Sequence, residues 1–293
     1  MIQLGLIGFP LEHSLSPRLH EAALKSSGVE GNYSLFPIEP DDGAGLRSLL
    51  ARVRDGEITG LNITIPHKQN VIALLDELTP TAESIGAVNT IYCHQGKLIG
   101  DNTDVHGFLA DLNRFLTKDV QRHGASKALV LGAGGSARAV VYALGNEGWT
   151  LTLAARDIKK AQRLAHSFAN YQLRLTDFNL SNIELSNIDL IVNTTPLGMF
   201  PNIDRSPWPQ DVPFPPHAAI YDLVYNPGET KLVRDARQQG LQATTGLGML
   251  IEQAALSFNI WTNQNPSRAL MRAAVDETPV SNLQSPITSH GAS

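Results

Sequence analysis

The sequence predicts an α/β protein of two domains, each built on a largely parallel sheet, facing each other across a cleft. Three observations carry this reading. The 293 residues are enough for two cores of ordinary size. From Met1 to about Asp104, short apolar runs ("LGLIGF", "NYSLFPI", "GLNITI", "VNTIYC") alternate with helical patterns that begin at Pro17, Asp42 and His67. Further on, "KALVLGAGGSARAVVYALGNEGWTLTLAARD" reads as strand, glycine turn, helix and strand.

Taken in order, "MIQLGLIGFP" is apolar but lacks a basic leader or a small-residue cleavage pattern, so it is a first strand. "AVNTIYCHQGKLIGDN" holds two strand-like runs around "HQGK", a hairpin that closes the first domain at residue 104. "DVHGFLADLNRFL" has apolar residues at helical spacing, and the polar "KDVQRHGASK" breaks it, so residues 105–124 form a connecting helix and linker. The second domain, 125–245, continues with a helix from Ile158 and the runs "LRLTDF", "IDLIVNTTP" and "AAIYDLVYNP". "GMLIEQAALSFNIWT" and "PSRALMRAAVDE" belong to neither series; as residues 246–277 they are expected to return to the first domain. The polar, Ser- and Pro-containing residues 278–293 read as a disordered tail.

Composition narrows the partners. A net charge of −5 argues against a phosphate-coated partner, so no nucleic acid is expected and the ligand is a small molecule. No stretch reaches the ~18 apolar residues of a membrane span, which predicts a cytoplasmic protein. Cys93 is the single cysteine; it excludes an intramolecular disulfide and a Cys-based zinc site, and reads as a half-buried strand residue. No metal is expected, since the nine histidines are scattered and no HExxH occurs; His13 and His67 read as surface or capping residues.

Gly132, Gly134 and Ala137 fit G-x-G-x-x-A, directly after the buried strand "ALVL" and at the start of a helix. Backbone N–H groups at such a helix end receive a pyrophosphate, and side chains larger than these would hold it off. At the end of the next strand, an acid would bind the ribose 2′-hydroxyl of NAD, whereas an arginine accepts the 2′-phosphate of NADP. Arg156 stands there, with Lys159 and Lys160 close behind, and Asp157 reads as a helix N-cap. The cofactor predicted is therefore NADP(H).

Four fragments of the first domain carry polar residues that a merely structural domain would not need: "SLSP", "NITIPHK", "GAVNT" and "DNTD". With the strand ending at Pro66 and a helix starting at His67, Asn62, Thr64 and Lys68 reach the carboxyl end of the sheet, where ligands of open α/β sheets bind. Asp104 suits an N-cap, Asn102 a turn and Asn89 a hairpin closure. A Lys68–Asp104 pair would equally supply the proton transfer that hydride chemistry at an alcohol carbon requires. Ser16 before Pro17 makes an N-cap and first-turn pair, which leaves Ser14 as an extra hydroxyl beside a helix end that attracts carboxylates.

In that order, "SLSP", "NITIPHK", "GAVNT", "DNTD", "GAGGSARA" and "GLGMLIEQA" resemble the shikimate dehydrogenases of the aromatic amino-acid pathway, from Met1 to about Glu277. The resemblance implies that Ser14 and Ser16 hold the substrate carboxylate, that Thr64, Asn89, Asp104 and Gln253 hold the ring hydroxyls, and that Tyr225 lies near the substrate. Lys68 would be the catalytic lysine, with Asp104 beside it. Gly132, Ala133, Gly134, Gly135 and Ser136 would form the phosphate turn, Arg156 and Lys160 the 2′-phosphate contacts, and Leu223 and Gly246 the nicotinamide side. Residues 1–104 would then be the substrate domain and 125–245 the NADP domain. Three positions depart from the family's habit: Ala155 where Asn is frequent, Leu223 where Met is frequent, and Thr245 where an acid or Asn is frequent. The implied reaction is the reversible NADPH-dependent reduction of 3-dehydroshikimate to shikimate by a monomer or homodimer. A quinate or dual quinate/shikimate dehydrogenase is the nearest alternative. A nucleotide-sensing binding protein is the non-enzymatic one, disfavoured by the presence of both Lys68 and Asp104.

Overall fold

The structure is a computed structural model that describes residues 1–116, 126–180 and 183–276. The end of the polar linker, 117–124, and the tail, 278–293, lie outside the described residues.

The apolar run of the N-terminus is buried as β1 (Ile2–Gly8), which pairs in parallel with β2 (Gly31–Pro37) and β3 (Gly60–Ile63). The connections are α1 (Ser16–Ser27) and α2 (Gly43–Arg54), whose apolar faces, such as Leu19, Ala23 and Leu24 or Leu46, Leu50 and Val53, are buried. Next come β4 (Glu77–Leu78), α3 (Pro80–Ile85), and the hairpin of β5 (Thr90–His94) and β6 (Lys97–Asp101). Gln95 and Gly96 turn that hairpin with positive φ values of 52° and 76°, the backbone that a two-residue connection needs. The sheet runs β2-β1-β3-β5-β6-β4 and is parallel except where β5 meets β3 and β6.

After α4 (Asp104–Phe115), the second sheet is built from β7 (Lys127–Leu131), α5 (Gly135–Asn146), β8 (Thr150–Ala154), α6 (Ile158–Ser167) and β9 (Leu173–Thr176). It continues with β10 (Leu190–Asn193), β11 (Ala219–Asp222), α7 (Lys231–Gln238) and β12 (Ala243–Thr245). Every pairing in the order β12-β11-β10-β7-β8-β9 is parallel. Strand order reverses between β7 and β10, which opens a crevice at their carboxyl ends.

Two further helices, α8 (Leu247–Thr262) and α9 (Arg268–Asp276), complete the described chain. α8 serves both cores: Ile251, Ala254, Ala255 and Phe258 pack with Leu4, Leu6 and Leu19 of the first sheet's layer, while Met249 packs with Phe108, Val140 and Tyr221. It crosses α4 closely, because a Cβ on Gly107 would stand 2.8 Å from the Gln253 nitrogen and one on Gly248 1.9 Å from Asp111. Among the described residues no helix is long and apolar enough to cross a membrane.

Three local expectations need correction. No α-helix starts at His67: residues 70–74 form a short 3-10 helix instead, because the Lys68 carbonyl accepts the Val88 N–H at 2.8 Å and is lost to helical bonding. Ser16 is the first helical residue of α1 and not its cap; Leu15 occupies the N-cap position, and Ser14 Oγ accepts the Ser16 N–H at 3.2 Å. Asp104 is likewise the first residue of α4, with Thr103 as N-cap, so its carboxylate is not consumed in capping.

Candidate active site

The site forms where the carboxyl ends of β1 and β3 approach the start of α4. The chain leaves β3 through Thr64, whose N–H donates to the Ile7 carbonyl at 2.8 Å, and turns at Pro66; the buried His67 ring meets the Ile38 carbonyl at 2.7 Å. This turn sends Lys68 toward α4, and its Nζ donates to Asp104 Oδ2 at 2.6 Å. The pair is largely sheltered, with side-chain exposures of 13% and 6%, a setting in which a charged hydrogen bond is stronger than at a surface.

Asp104 is held from behind. Its N–H donates to Asn102 Oδ1 at 3.0 Å, and its Oδ1 accepts from Asn89 Nδ2 at 2.9 Å. The orientation of the Asn89 amide follows from an unambiguous donor: the Thr103 N–H meets Asn89 Oδ1 at 2.8 Å, so the nitrogen must face Asp104. Both carboxylate oxygens of Asp104 therefore accept hydrogen bonds, one from Lys68 and one from the frame. Asn89 is only 2% exposed, and its Nδ2 also faces Thr103 Oγ1 at 2.9 Å and Gln253 Oε1 at 3.4 Å.

Beneath lies a polar layer that sequence reasoning missed. Ser257 Oγ, on α8, lies 2.7 Å from Thr90 Oγ1 and 3.1 Å from Thr103 Oγ1, and accepts from Asn62 Nδ2 at 3.0 Å. Asn62 Oδ1 in turn accepts from the Tyr33 hydroxyl at 2.9 Å. The only hint in the sequence is polar residues interrupting apolar runs, at Asn62, Thr90 and Ser257, but nothing local says that they meet.

The serines of "SLSP" lie at the start of α1, where Ser16 is buried and its hydroxyl faces Tyr33. Burial raises the Tyr33 phenol well above its ordinary value, against the opposing effect of Ser16, and burial also raises Tyr225. Tyr225 comes from the loop after β11 yet packs against the first sheet's core and acts on Tyr33, so it crosses between the sheets. The His13 and Phe200 rings meet edge to face, with centroids 4.6 Å apart. Arg138 of α5 donates to the Ile85 carbonyl at the end of α3.

On the second sheet, Gly132 leaves β7 with φ of 112°, a conformation that L side chains rarely adopt. The turn Gly132, Ala133, Gly134 leads into α5 at Gly135 and Ser136; Gly134 is the N-cap with no side-chain cap bond, and a Cβ there would meet nothing within 4 Å. Open space in front of a helix N-terminus fits a pyrophosphate. Arg156, Lys159 and Lys160 are exposed beyond β8 and form no ion pair among the described residues, while Asp157 caps α6 by accepting the Lys160 N–H at 2.9 Å. Three cations with the nearby carboxylate turned to its own helix suit a 2′-phosphate. Leu223 and Gly246 lie side by side at the ends of β11 and β12, the Gly246 N–H donating to the Val224 carbonyl at 3.2 Å. The two halves face each other closely: a Cβ on Gly135 would stand 3.4 Å from the Lys68 side chain. Among the described residues no cluster of three or more His, Cys, Asp or Glu could hold a metal ion.

Comparison with known proteins agrees with this geometry. Residues 6–91 match the model of the shikimate dehydrogenase substrate binding domain, 115–197 that of shikimate/quinate 5-dehydrogenase, and 246–275 that of the shikimate 5′-dehydrogenase C-terminal domain. A shikimate dehydrogenase (NADP(+)) of Shouchella clausii is 39% identical over 274 residues, 93% of this chain and 97% of the relative. A crystal structure of shikimate dehydrogenase with NADP+ superposes with a TM-score of 0.86 at 35% identity, covering 95% of this chain and 96% of the other. The Thermus thermophilus enzyme with NADP(H) and shikimate gives a TM-score of 0.81 at 37% identity, covering 94% and 98%. The chain belongs to the shikimate dehydrogenase family.

Proposed function

We propose that this protein is an NADP-dependent shikimate dehydrogenase, which reduces 3-dehydroshikimate to shikimate on the way to chorismate and the aromatic amino acids. The observation that carries the reading is the sheltered Lys68–Asp104 pair at 2.6 Å, set directly against the glycine turn of the second sheet.

Bound NADPH would supply the hydride for the ketone carbon, with Gly132 to Ser136 holding its pyrophosphate, Arg156 and Lys160 its 2′-phosphate, and Leu223 and Gly246 flanking its nicotinamide end. The protein's own task is the proton. Protonated Lys68 donates from Nζ to the oxygen that becomes the alcohol, and Asp104 orients the ammonium and accepts from the hydroxyl once it has formed; in the oxidation, Lys68 takes the proton back. Ser14 and Ser16 grip the substrate carboxylate beside the start of α1, and Tyr225 closes over the substrate from the other sheet. Thr64 and Gln253 contact the ring hydroxyls. Asn89 acts mainly through Asp104, since its amide is already committed to Thr103 and Asp104.

We infer a substrate domain of residues 1–104, a connection at 105–124, an NADP domain of 125–245 and returning helices at 246–277; each sheet's strands fall within its own domain, which supports these bounds. Cys93, half-buried on β5, suits a reducing compartment such as the cytoplasm. The test is a set of initial rates with shikimate and with quinate, each with NADP and with NAD. Fastest turnover with shikimate and NADP is expected. Preference for quinate would shift the reading to the quinate enzymes, and use of NAD at least as efficiently as NADP would remove the role given to Arg156.

A further inference from the structure

The second sheet buries a carboxylate that no cation faces. Asp222, the last residue of β11, is 0% exposed. Its Oδ1 accepts from Asn193 Nδ2 at 2.7 Å and from the Val224 N–H at 3.0 Å, and its Oδ2 accepts from Thr230 Oγ1 at 2.7 Å. The charged groups nearest in the chain are occupied with one another, Lys231 with Asp235 and Glu229 with Arg237. Among the described residues these three donors, from β10, the loop after β11 and the start of α7, act on the carboxyl, and no charge does. Burying an ion on such terms is costly, and only its hydrogen bonds offset that cost.

What they hold is the wall of the cofactor site. Asn193 turns its own Oδ1 to the N–H and hydroxyl of Thr195, at 2.9 and 2.7 Å, which shapes the loop after β10. That loop lies along the glycine turn: Thr194 donates to the Leu131 carbonyl at 2.7 Å, and a Cβ on Gly132 would stand 2.6 Å from Thr194 Oγ1. On the other side, the Leu223 N–H donates to the Asn193 carbonyl at 2.9 Å, and a Cβ on Gly246 would meet the Leu223 oxygen at 2.3 Å. Through Asn193 and Val224, one carboxylate is thus tied both to the loop that borders the phosphate turn and to the loop that carries Leu223.

We propose that Asp222 is a positioning residue for the cofactor: its carboxylate clamps the loops after β10 and β11 to the start of α7, and so keeps the nicotinamide-side wall in its binding shape. The inference rests on the NADP reading above. Burial pushes this carboxyl up to about 6, even though all three hydrogen bonds favour its charged form. A proton on either oxygen would point at a donor, and the Thr230 hydroxyl is already engaged as acceptor of the Val233 N–H at 3.3 Å. The clamp therefore weakens as pH falls through about 6.

The test is calorimetric titration of the full-length protein with NADP+ from pH 5 to 8, using wild type, Asp222→Asn and Thr230→Val. Shikimate KM is measured in parallel. The cofactor's own 2′-phosphate titrates in the same range, so the difference between the profiles reports on Asp222. At pH 8, Asp222→Asn is expected to raise Kd for NADP+ roughly tenfold while shikimate KM stays within about twofold. The gap should close below pH 6 as the wild type loses its clamp. A Kd within about twofold of wild type at pH 8, or a ratio that is the same at every pH, overturns the proposal. If Asp222→Asn does not fold, Thr230→Val decides: it keeps the charge, removes one donor, and should weaken binding roughly threefold, and an unchanged Kd overturns the clamp equally. Wild-type protein that binds no NADP+ would instead remove the functional reading itself.

Discussion

The two sheets each bury a carboxylate at the edge of the site, and they satisfy it in opposite ways. Asp104 meets a lysine, whereas Asp222 meets only an amide, a hydroxyl and a backbone N–H. The first arrangement pairs a carboxylate with an ammonium, the pair proposed to serve proton transfer; the second has no cation and ties neighbouring loops together. On the proposed reading, a carboxylate's partner set, more than its burial, separates chemistry from scaffolding.

The comparison is tested most severely at the charged pair. Lys68→Ala should lower kcat by roughly two to four orders of magnitude, with a much smaller change in KM, if proton transfer is part of the slow step. Steady-state kinetics with shikimate check this, and unchanged turnover would mean that the pair is scaffold as well.

A second contrast concerns stability and pH. Against Asp222 of the second sheet stands His20 on α1, packed over the first sheet, 0% exposed and stacked on Tyr33 at 4.2 Å. Burial lowers His20 from 6.5 to about 3, so between those values the unfolded chain binds more protons, and stability present above 6.5 is lost as pH falls. Asp222 is raised from 3.8 to about 6, so there the folded chain binds more protons, and stability present below 3.8 is lost as pH rises. Each effect amounts to roughly 3 to 5 kcal/mol across its full window. Denaturant melts from pH 4 to 7 should therefore show His20→Phe flattening the acid loss and Asp222→Asn flattening the opposing trend. Parallel profiles for both variants and the wild type would show that neither group titrates on unfolding in this range.

The smallest effect is at the start of α1. Ser14, which accepts the Ser16 N–H, is both a proposed substrate grip and a helix-end partner. Ser14→Ala should cost about 1 kcal/mol of stability and raise shikimate KM. The sequence alone points the other way, to Ser16 as the cap and Ser14 as dispensable for folding. Thermal melts alongside KM separate the two uses.

Much of the site is legible in the sequence because its motifs are local. The glycine turn sits between a strand and a helix, Lys68 follows a strand end, and Asp104 opens a helix, all within a few residues of recognisable punctuation. What is illegible depends on distant segments. The expected helix at His67 fails because Val88 takes the Lys68 carbonyl, and the frame behind Asp104 depends on Ser257, far along the chain in α8. Asp222 reads as a strand-terminal acid of no special kind until Asn193 and Thr230 are seen around it.

Helix α8 has a further consequence. It begins immediately after Gly246, the residue proposed to flank the nicotinamide, and carries Gln253, proposed to contact the substrate, with Met249 and Ile251 anchored in different cores. Seven residues of α-helix measure about 10 Å, so on the proposed reading this rod sets a gauge length between the two ligands. One residue inserted into that span would lengthen it by only about 1.5 Å but swing Gln253 through roughly 100°. With the roles proposed for Gly246 and Gln253, the spacing between "GLG" and "Q" is a dimension of the reaction as well as a piece of sequence.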